Sequence, residues 1–213
     1  MTIAQTAAEY EARYKNAFEH GGLTQASWHT ERDGRQLACA LGVLGDEVKS
    51  PSDCPAQIMP RWLAQMVPNF FDGQKQDDAF AWGLKFTAAL ARIDGKVPFS
   101  VIHDWHANAV CPLGIEVAEL RNRDTAPHKA LQALHLRALG GEKITAGEWN
   151  PALKTAYANV NAYAYADAYT YAYAWVDAYA NTYANANAYA NAYADAWKRL
   201  ADGMVDALNR VQQ

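Results

Sequence analysis

The chain has 213 residues, a formal net charge of −4 at pH 7 and a sequence pI near 5.8. Hydrophobic residues make up 51% and charged residues 20%, a balance typical of a folded protein and unlike that of a disordered chain. The acidic balance argues against a protein dominated by phosphate contacts, so nucleic acid is not a predicted partner. Neither a secretory signal nor a membrane-spanning run is found, which predicts a cytoplasmic protein with no membrane partner.

Helical signals recur along the first 150 residues. The first predicted helix, Thr2 to His20, is closed by Gly21 and Gly22. Helical spacing of apolar residues predicts six more helices, at 33–44, 58–71, 77–93, 100–111, 113–122 and 127–139. Pro112 is expected to end the helix that Ser100 caps, because proline lacks the N–H that a helix needs. We therefore predict an all-α fold with a multi-helix globular domain over 1–150.

The tail, 151–213, has an unusual composition. From Ala152 to Ala196 alanine occupies almost every even position, and tyrosine, asparagine or aspartate most odd ones. A period of two is the usual mark of a strand, but alanine and asparagine are depleted in strands and no glycine or proline marks a turn. Alanine has the best helix propensity, so we predict a helical tail that packs on the domain or mediates association. The alternative is a β-solenoid with corners at Asn159, Asn181 and Asn191.

The length of this tail limits how it can pack. A continuous helix from Ala152 to Leu208 would be about 85 Å long at 1.5 Å per residue, more than a domain of 150 residues could cover. The tail is therefore predicted either to fold back as a hairpin near Val176 to Thr182 or to protrude and pair with a second chain. Gly203 is a second position at which the helix could break.

The tyrosines of this block form the predicted contact surface. A helical wheel places most of the ten tyrosines on one broad arc. Tyrosine supplies a large contact area at low entropic cost, which favours a protein partner or a homodimer. The alternative is that the rings only cover the alanine-lined helices. The residues predicted to contact the partner are Tyr165, Tyr169, Tyr173, Trp175, Tyr179 and Tyr183.

One cluster of residues suggests metal chemistry. His103, His106 and Cys111 lie within nine residues, and histidines at i and i+3 of a helix can converge on one metal ion. His128 and His135 share a face of a later helix and could supply a fourth ligand. The sequence contains no HExxH, CxxC, GxSxG or glycine-rich phosphate loop. We therefore predict core histidines, with no catalytic residue, metal or cofactor, and keep a small metal-dependent enzyme as the alternative.

The cysteines Cys39, Cys54 and Cys111 are odd in number and stand at unrelated spacings. Without a secretory signal, such cysteines are more often reduced than paired. We predict three buried thiols and no disulfide.

The stretch from Leu37 through Gly141 resembles uncharacterised proteins of phages and proteobacteria. The resemblance rests on LACALG at 37–42, SVIHDWH at 100–106, HKALQALH at 128–135 and a tail ending in KRLAD at 198–202. The tail alone is similar to immunity-type proteins whose last third is alanine-rich helix. These resemblances imply a phage or prophage protein that occludes a host or competitor protein, and they supply no site residues. A structural homo-oligomer paired through the tail is the third hypothesis.

Overall fold

The computed structural model describes residues 1–158 and 186–212, and these are mainly α-helical. The predicted all-α class is therefore confirmed, with one added hairpin of two short strands, β1 (His29–Arg32) and β2 (Arg35–Ala38). The described helices are α1 (Ala7–Glu19), α2 (Arg61–Asp72), α3 (Gln76–Arg92), α4 (Ser100–Trp105), α5 (Cys111–Leu120), α6 (Ala126–Leu139), α7 (Ala146–Ala158) and α8 (Ala186–Asn209). None of these described helices is long and apolar enough to cross a membrane.

The chain forms two compact units. Unit 1 contains Met1–Pro98 together with Leu208–Gln213, and unit 2 contains Phe99–Ala207. The described parts of the predicted tail, which lie in α7 and α8, belong to unit 2 except for the end of α8. The predicted break at 176–182 lies outside the described residues.

Unit 1 is built on the packing of α1 against α3. Thr6 caps α1 by accepting a hydrogen bond from the backbone N–H of Glu9, which is why the helix begins at Ala7 and not at Thr2. Tyr14 is fully buried and donates a hydrogen bond to the Phe80 carbonyl at 3.1 Å. A β-carbon at Gly83 would overlap the Tyr14 hydroxyl, so this glycine lets the two helices approach closely.

The predicted helix at 33–44 is wrong, because the chain forms the β1–β2 hairpin and a short 3₁₀ helix at Gly42–Leu44. Asp33 and Gly34 both have positive φ, 52° and 72°, which is the conformation of a two-residue type I′ turn. This turn sets the register in which Arg32 pairs with Arg35. The Asp-Gly turn therefore outweighs the helical spacing of the leucines that follow it.

The predicted helices at 58–71 and 77–93 are confirmed to within a few residues by α2 and α3. Pro60 is the residue before α2, and Pro68 lies within that helix. The turn that closes α3 contains Asp94 and Gly95, with φ of 53° and 68°. Gly95, in the left-handed conformation that favours glycine, therefore ends α3.

The predicted break before Pro112 is also wrong. Helical backbone runs without interruption from Ser100 to Leu120, through a π-helical turn at His106–Val110. The N–H of Cys111 donates to the carbonyl of His106, five residues earlier, which is the hydrogen bond of a π turn. Pro112 then lies at the start of α5, where the backbone can accept its missing N–H.

This π turn leaves one buried carbonyl to be satisfied from another helix. The π partner of the Ala107 carbonyl would be Pro112, which has no N–H. Gln132 of α6 supplies the hydrogen bond instead, with its Nε2 at 2.7 Å from the Ala107 oxygen. The side chain of Gln132 therefore fixes α6 against the π turn.

Replacing this amide is expected to destabilise unit 2. We expect Gln132→Leu to lower the free energy of unfolding by about 1–3 kcal/mol, because the Ala107 carbonyl stays buried and loses its donor. Urea-induced unfolding followed by circular dichroism measures the loss. Ala133→Leu, on an exposed position of the same helix, is the control, and an equal loss in both variants would contradict the role of Gln132.

The other helices of unit 2 confirm most of the sequence predictions. At the start of α7 the Thr145 N–H donates to the Glu148 carboxylate at 3.1 Å, which is one of the two hydrogen bonds of a capping box. In α8 the Trp105 indole donates to the Leu200 carbonyl at 2.8 Å. The predicted break at Gly203 is wrong, since α8 continues through it. A β-carbon at Gly203 would lie 2.5 Å from that of Ala109, so the glycine permits close packing.

Candidate functional site

The histidines of unit 2 form a cluster with one tryptophan. The Nδ1 atoms of His103 in α4 and His135 in α6 lie 3.1 Å apart, within hydrogen-bond distance. The ring of His106 stacks on that of His135, with centroids 4.5 Å apart and planes 8° apart. Trp149 of α7 stacks on His103 at 5.7 Å and is tilted against His135 at 4.8 Å. We call His103, His106, His135 and Trp149 the histidine cluster.

The cluster is largely removed from water. His106 and His135 are 2% and 7% exposed, while His103 and Trp149 are half-buried. Burial lowers the pKa of all three imidazoles, and the neighbouring imidazoles lower those of His106 and His135 further. The pKa of His135 falls to about 3. The rings are therefore neutral near pH 7, and the 3.1 Å contact is an N–H donating to a ring nitrogen.

The prediction that His103 and His106 lie together holds, but the partner that joins them is His135. Cys111 is fully buried, and burial raises the pKa of its thiol to about 12, so it is protonated near pH 7. His128 is also fully buried, and burial lowers its pKa to about 4. Within residues 1–158 and 186–212, no group of three or more histidine, cysteine, aspartate or glutamate side chains is placed to hold a metal ion.

The three cysteines are free thiols in the structure. Cys111 is buried as predicted, whereas Cys39 and Cys54 are only partly buried. Burial also raises the pKa of Cys54 to about 12 and that of Cys39 above its usual value. All three are therefore thiols and not thiolates near pH 7.

The residues predicted to contact a partner, Tyr165, Tyr169, Tyr173, Trp175, Tyr179 and Tyr183, lie outside the described residues. The end of the same Ala/Tyr block is described, as the first part of α8. There the rings of Tyr189 and Tyr193 stack at 6.3 Å, and Tyr193 packs edge-on against Trp197 at 6.4 Å. We call these three residues the aromatic ladder. This part of the block is helical, so the β-solenoid alternative is wrong for residues 186–196.

Sequence reasoning missed Trp149 as a member of the histidine cluster. Trp149 comes directly after the capping box, four residues from Thr145, and its nearest histidine in the sequence is 14 residues away. Only the packing of α6 against α7 brings the indole onto the imidazoles. A single sequence contains no local signal for that contact.

No family model, curated protein or solved structure matches this chain. Function therefore has to be inferred from the residues themselves.

Proposed function

We propose that the protein is a non-enzymatic binding protein that occludes a protein target through its Ala/Tyr block. The observation that carries this proposal is the aromatic ladder of α8. Trp197 is buried at its foot, and Tyr193 and Tyr189, one and two turns earlier, keep part of their surface exposed. Aromatic rings that remain partly exposed are the side chains most often found at protein interfaces.

The alanines and the tyrosines of this stretch lie in different environments. Ala192 and Ala196 are buried, so this face of α8 packs within the protein while the neighbouring tyrosine rings line its edge. The same residue types fill the block before α8. We infer that its tyrosines act together as one contact surface, and that a phage-type protein would direct it at a host or competitor protein.

The test is affinity capture with the full-length protein on beads. A bacterial lysate is passed over the wild type and over a variant in which the six predicted contact residues are alanine. A second variant, in which the five tyrosines are phenylalanine, keeps the aromatic area and is the matched control. We expect the wild type to capture one protein stoichiometrically. The alanine variant should bind that protein at least about 100-fold more weakly, which corresponds to the loss of about two hot-spot side chains.

Purified target and light scattering complete this experiment. The captured protein is produced separately, and its activity should fall when the wild type is added and not when the alanine variant is added. Equal capture by the wild type and the alanine variant would contradict the proposal. A wild-type mass of two chains that returns to one in the alanine variant would favour the structural homo-oligomer instead.

A further inference from the structure

Unit 1 contains a cleft between its first helix and its hairpin. It has a volume of about 870 Å³, within the range of small-molecule sites. Its walls are α1, the β2 strand of the hairpin and the chain that follows Gly42. Each of these elements lies within residues 1–98, so the cleft belongs entirely to unit 1.

The charges that line this cleft are mostly positive. Arg13, Arg35 and Lys49 contribute three side-chain cations, and Asp46 is the carboxylate among the lining residues. The N-terminal ammonium of Met1 also lines the cleft and pairs with Asp46, while Arg13 pairs with Glu9 at 3.8 Å. Arg13 is held in place, because its Nη1 donates to the carbonyls of Thr2 and Leu44. The protein as a whole is acidic, with a net charge of −4, so this local excess of cations is contrary to the overall composition.

Two of these cations are available for a ligand. Arg35 on β2 and Lys49 after the 3₁₀ helix are both exposed. Neither forms an ion pair with another described residue. The guanidinium of Arg35 is planar and can donate two parallel hydrogen bonds to a carboxylate, sulfonate or phosphate. Lys49 adds a second positive charge on the same cleft, so an anion is the ligand that these side chains favour.

Most of the other lining residues are apolar or lack side chains, and the polar ones are Asn16, His20, His29 and Gln36. Ala17 and Ala38 are half-buried, Leu37 and Val43 are buried, and Gly21 has no side chain to fill the space. Such a surface favours an apolar ligand body over a bare inorganic ion. The geometry points to a binding site for a small organic anion, in which the apolar body lies against these residues and Arg35 and Lys49 bind the acidic group.

The hairpin explains how the sequence builds this site. The two-residue turn at Asp33 and Gly34 directs β2 back along β1 and sets the position of Arg35 at its start. The N–H of Ala38 donates to the carbonyl of Gly22, which ties β2 to the end of α1 and closes one wall of the cleft. The site is therefore assembled from segments between residues 12 and 49, together with Met1.

The test is a fluorescence titration of the full-length protein with 8-anilinonaphthalene-1-sulfonate, an apolar body that carries one sulfonate. We expect saturable binding of one dye per chain, with a Kd on the order of 10–100 µM. The Arg35→Glu, Lys49→Glu double variant should bind at least about 10-fold more weakly, because both anion contacts become repulsive. The neutral dye N-phenyl-1-naphthylamine should bind wild type more weakly than the sulfonate does.

The matched control uses the neighbouring arginine. Arg32 pairs with Arg35 across the hairpin, is equally exposed and does not line the cleft. Arg32→Glu, Lys15→Glu changes the net charge by the same amount as the double variant, and it should leave the Kd within about twofold. Equal weakening by both double variants, binding of several dyes without saturation, or equal affinity for the neutral dye would each overturn the proposal.

Discussion

Lowering the pH from 7.5 to 5.0 is expected to reduce the free energy of unfolding of unit 2 by about 4 kcal/mol through His128 and His135 alone. Both side chains are buried, and burial lowers the pKa of His128 to about 4 and that of His135 to about 3. The unfolded imidazoles titrate near 6.5, so each unit of separation between folded and unfolded pKa is equivalent to about 1.4 kcal/mol. At pH 5.0, which is about 1.5 units below that unfolded pKa, each of the two histidines contributes about 2 kcal/mol less to the free energy of unfolding.

Stability falls as the pH is lowered because the unfolded chain binds these protons more tightly than the folded chain does. When folding lowers the pKa of a histidine, there is a pH range between its folded and unfolded pKa values. In that range the histidine is protonated in the unfolded chain and neutral in the folded one. The stabilisation that these two buried imidazoles provide is therefore complete above about pH 6.5. It declines as the pH falls from about 6.5 to about 4 for His128 and to about 3 for His135. The shift at His106 has the same direction, since its ring is buried against His135 and His103. For a protein with a stability of about 5–15 kcal/mol, a loss of about 4 kcal/mol removes roughly a quarter or more of that stability at pH 5.0.

Urea-induced unfolding at pH 7.5 and 5.0, followed by far-UV circular dichroism, measures this difference. In His135→Gln the difference between the two pH values should shrink by about 2 kcal/mol, because one titrating group is removed. Leu134→Ala is the control, since Leu134 is buried to the same degree on the same helix and does not titrate. It should lower stability at both pH values and leave the difference intact. A full pH difference in His135→Gln would contradict this account of the cluster.

The histidine cluster contains one contact that the sequence could predict and one that it could not. The i, i+3 spacing predicted correctly that His103 and His106 lie close together, because that contact is local to one helix. The contact between His103 and His135 spans 32 residues and depends on how α4 packs against α6. Helix packing is a property of complementary surfaces, and one sequence does not specify which faces meet. The helices that carry these histidines were therefore predictable, and the arrangement of their side chains into a site was not.

Two local errors have separate physical causes. The helix predicted at 33–44 rested on the helical spacing of Leu37, Ala40, Leu41 and Leu44. It took no account of Asp33-Gly34, which is a strong hairpin signal. At Pro112 the prediction applied the rule that proline ends a helix, but a π turn allows the chain to continue as a helix. The first error concerns the cleft of unit 1 as well, because Arg35, which lines it, belongs to β2 of this hairpin.

The second large effect is expected at Gly95, where Gly95→Ala should lower the free energy of unfolding by about 2–5 kcal/mol. Gly95 has a φ of 68°, and a left-handed backbone costs an alanine about 1–2 kcal/mol. In addition, a β-carbon there would overlap the carbonyl oxygen of Gln57 and lie 2.7 Å from that of Ile58. Both obstacles are backbone atoms that no side-chain rotation can move, which adds about 1–3 kcal/mol.

Gly21 separates these two contributions. It also follows a helix, with a φ of 64°, but a β-carbon there would meet nothing within 4 Å. Gly21→Ala should therefore cost only the backbone strain of about 1–2 kcal/mol. Asparagine tolerates this conformation better than alanine, so Gly21→Asn should be nearly neutral while Gly95→Asn still meets the two carbonyls. Urea-induced unfolding of the four variants measures the free energy of unfolding of each. Equal losses of that free energy at Gly21 and Gly95 would mean that the chain at Gln57 and Ile58 moves aside, and that α3 is not fixed against it.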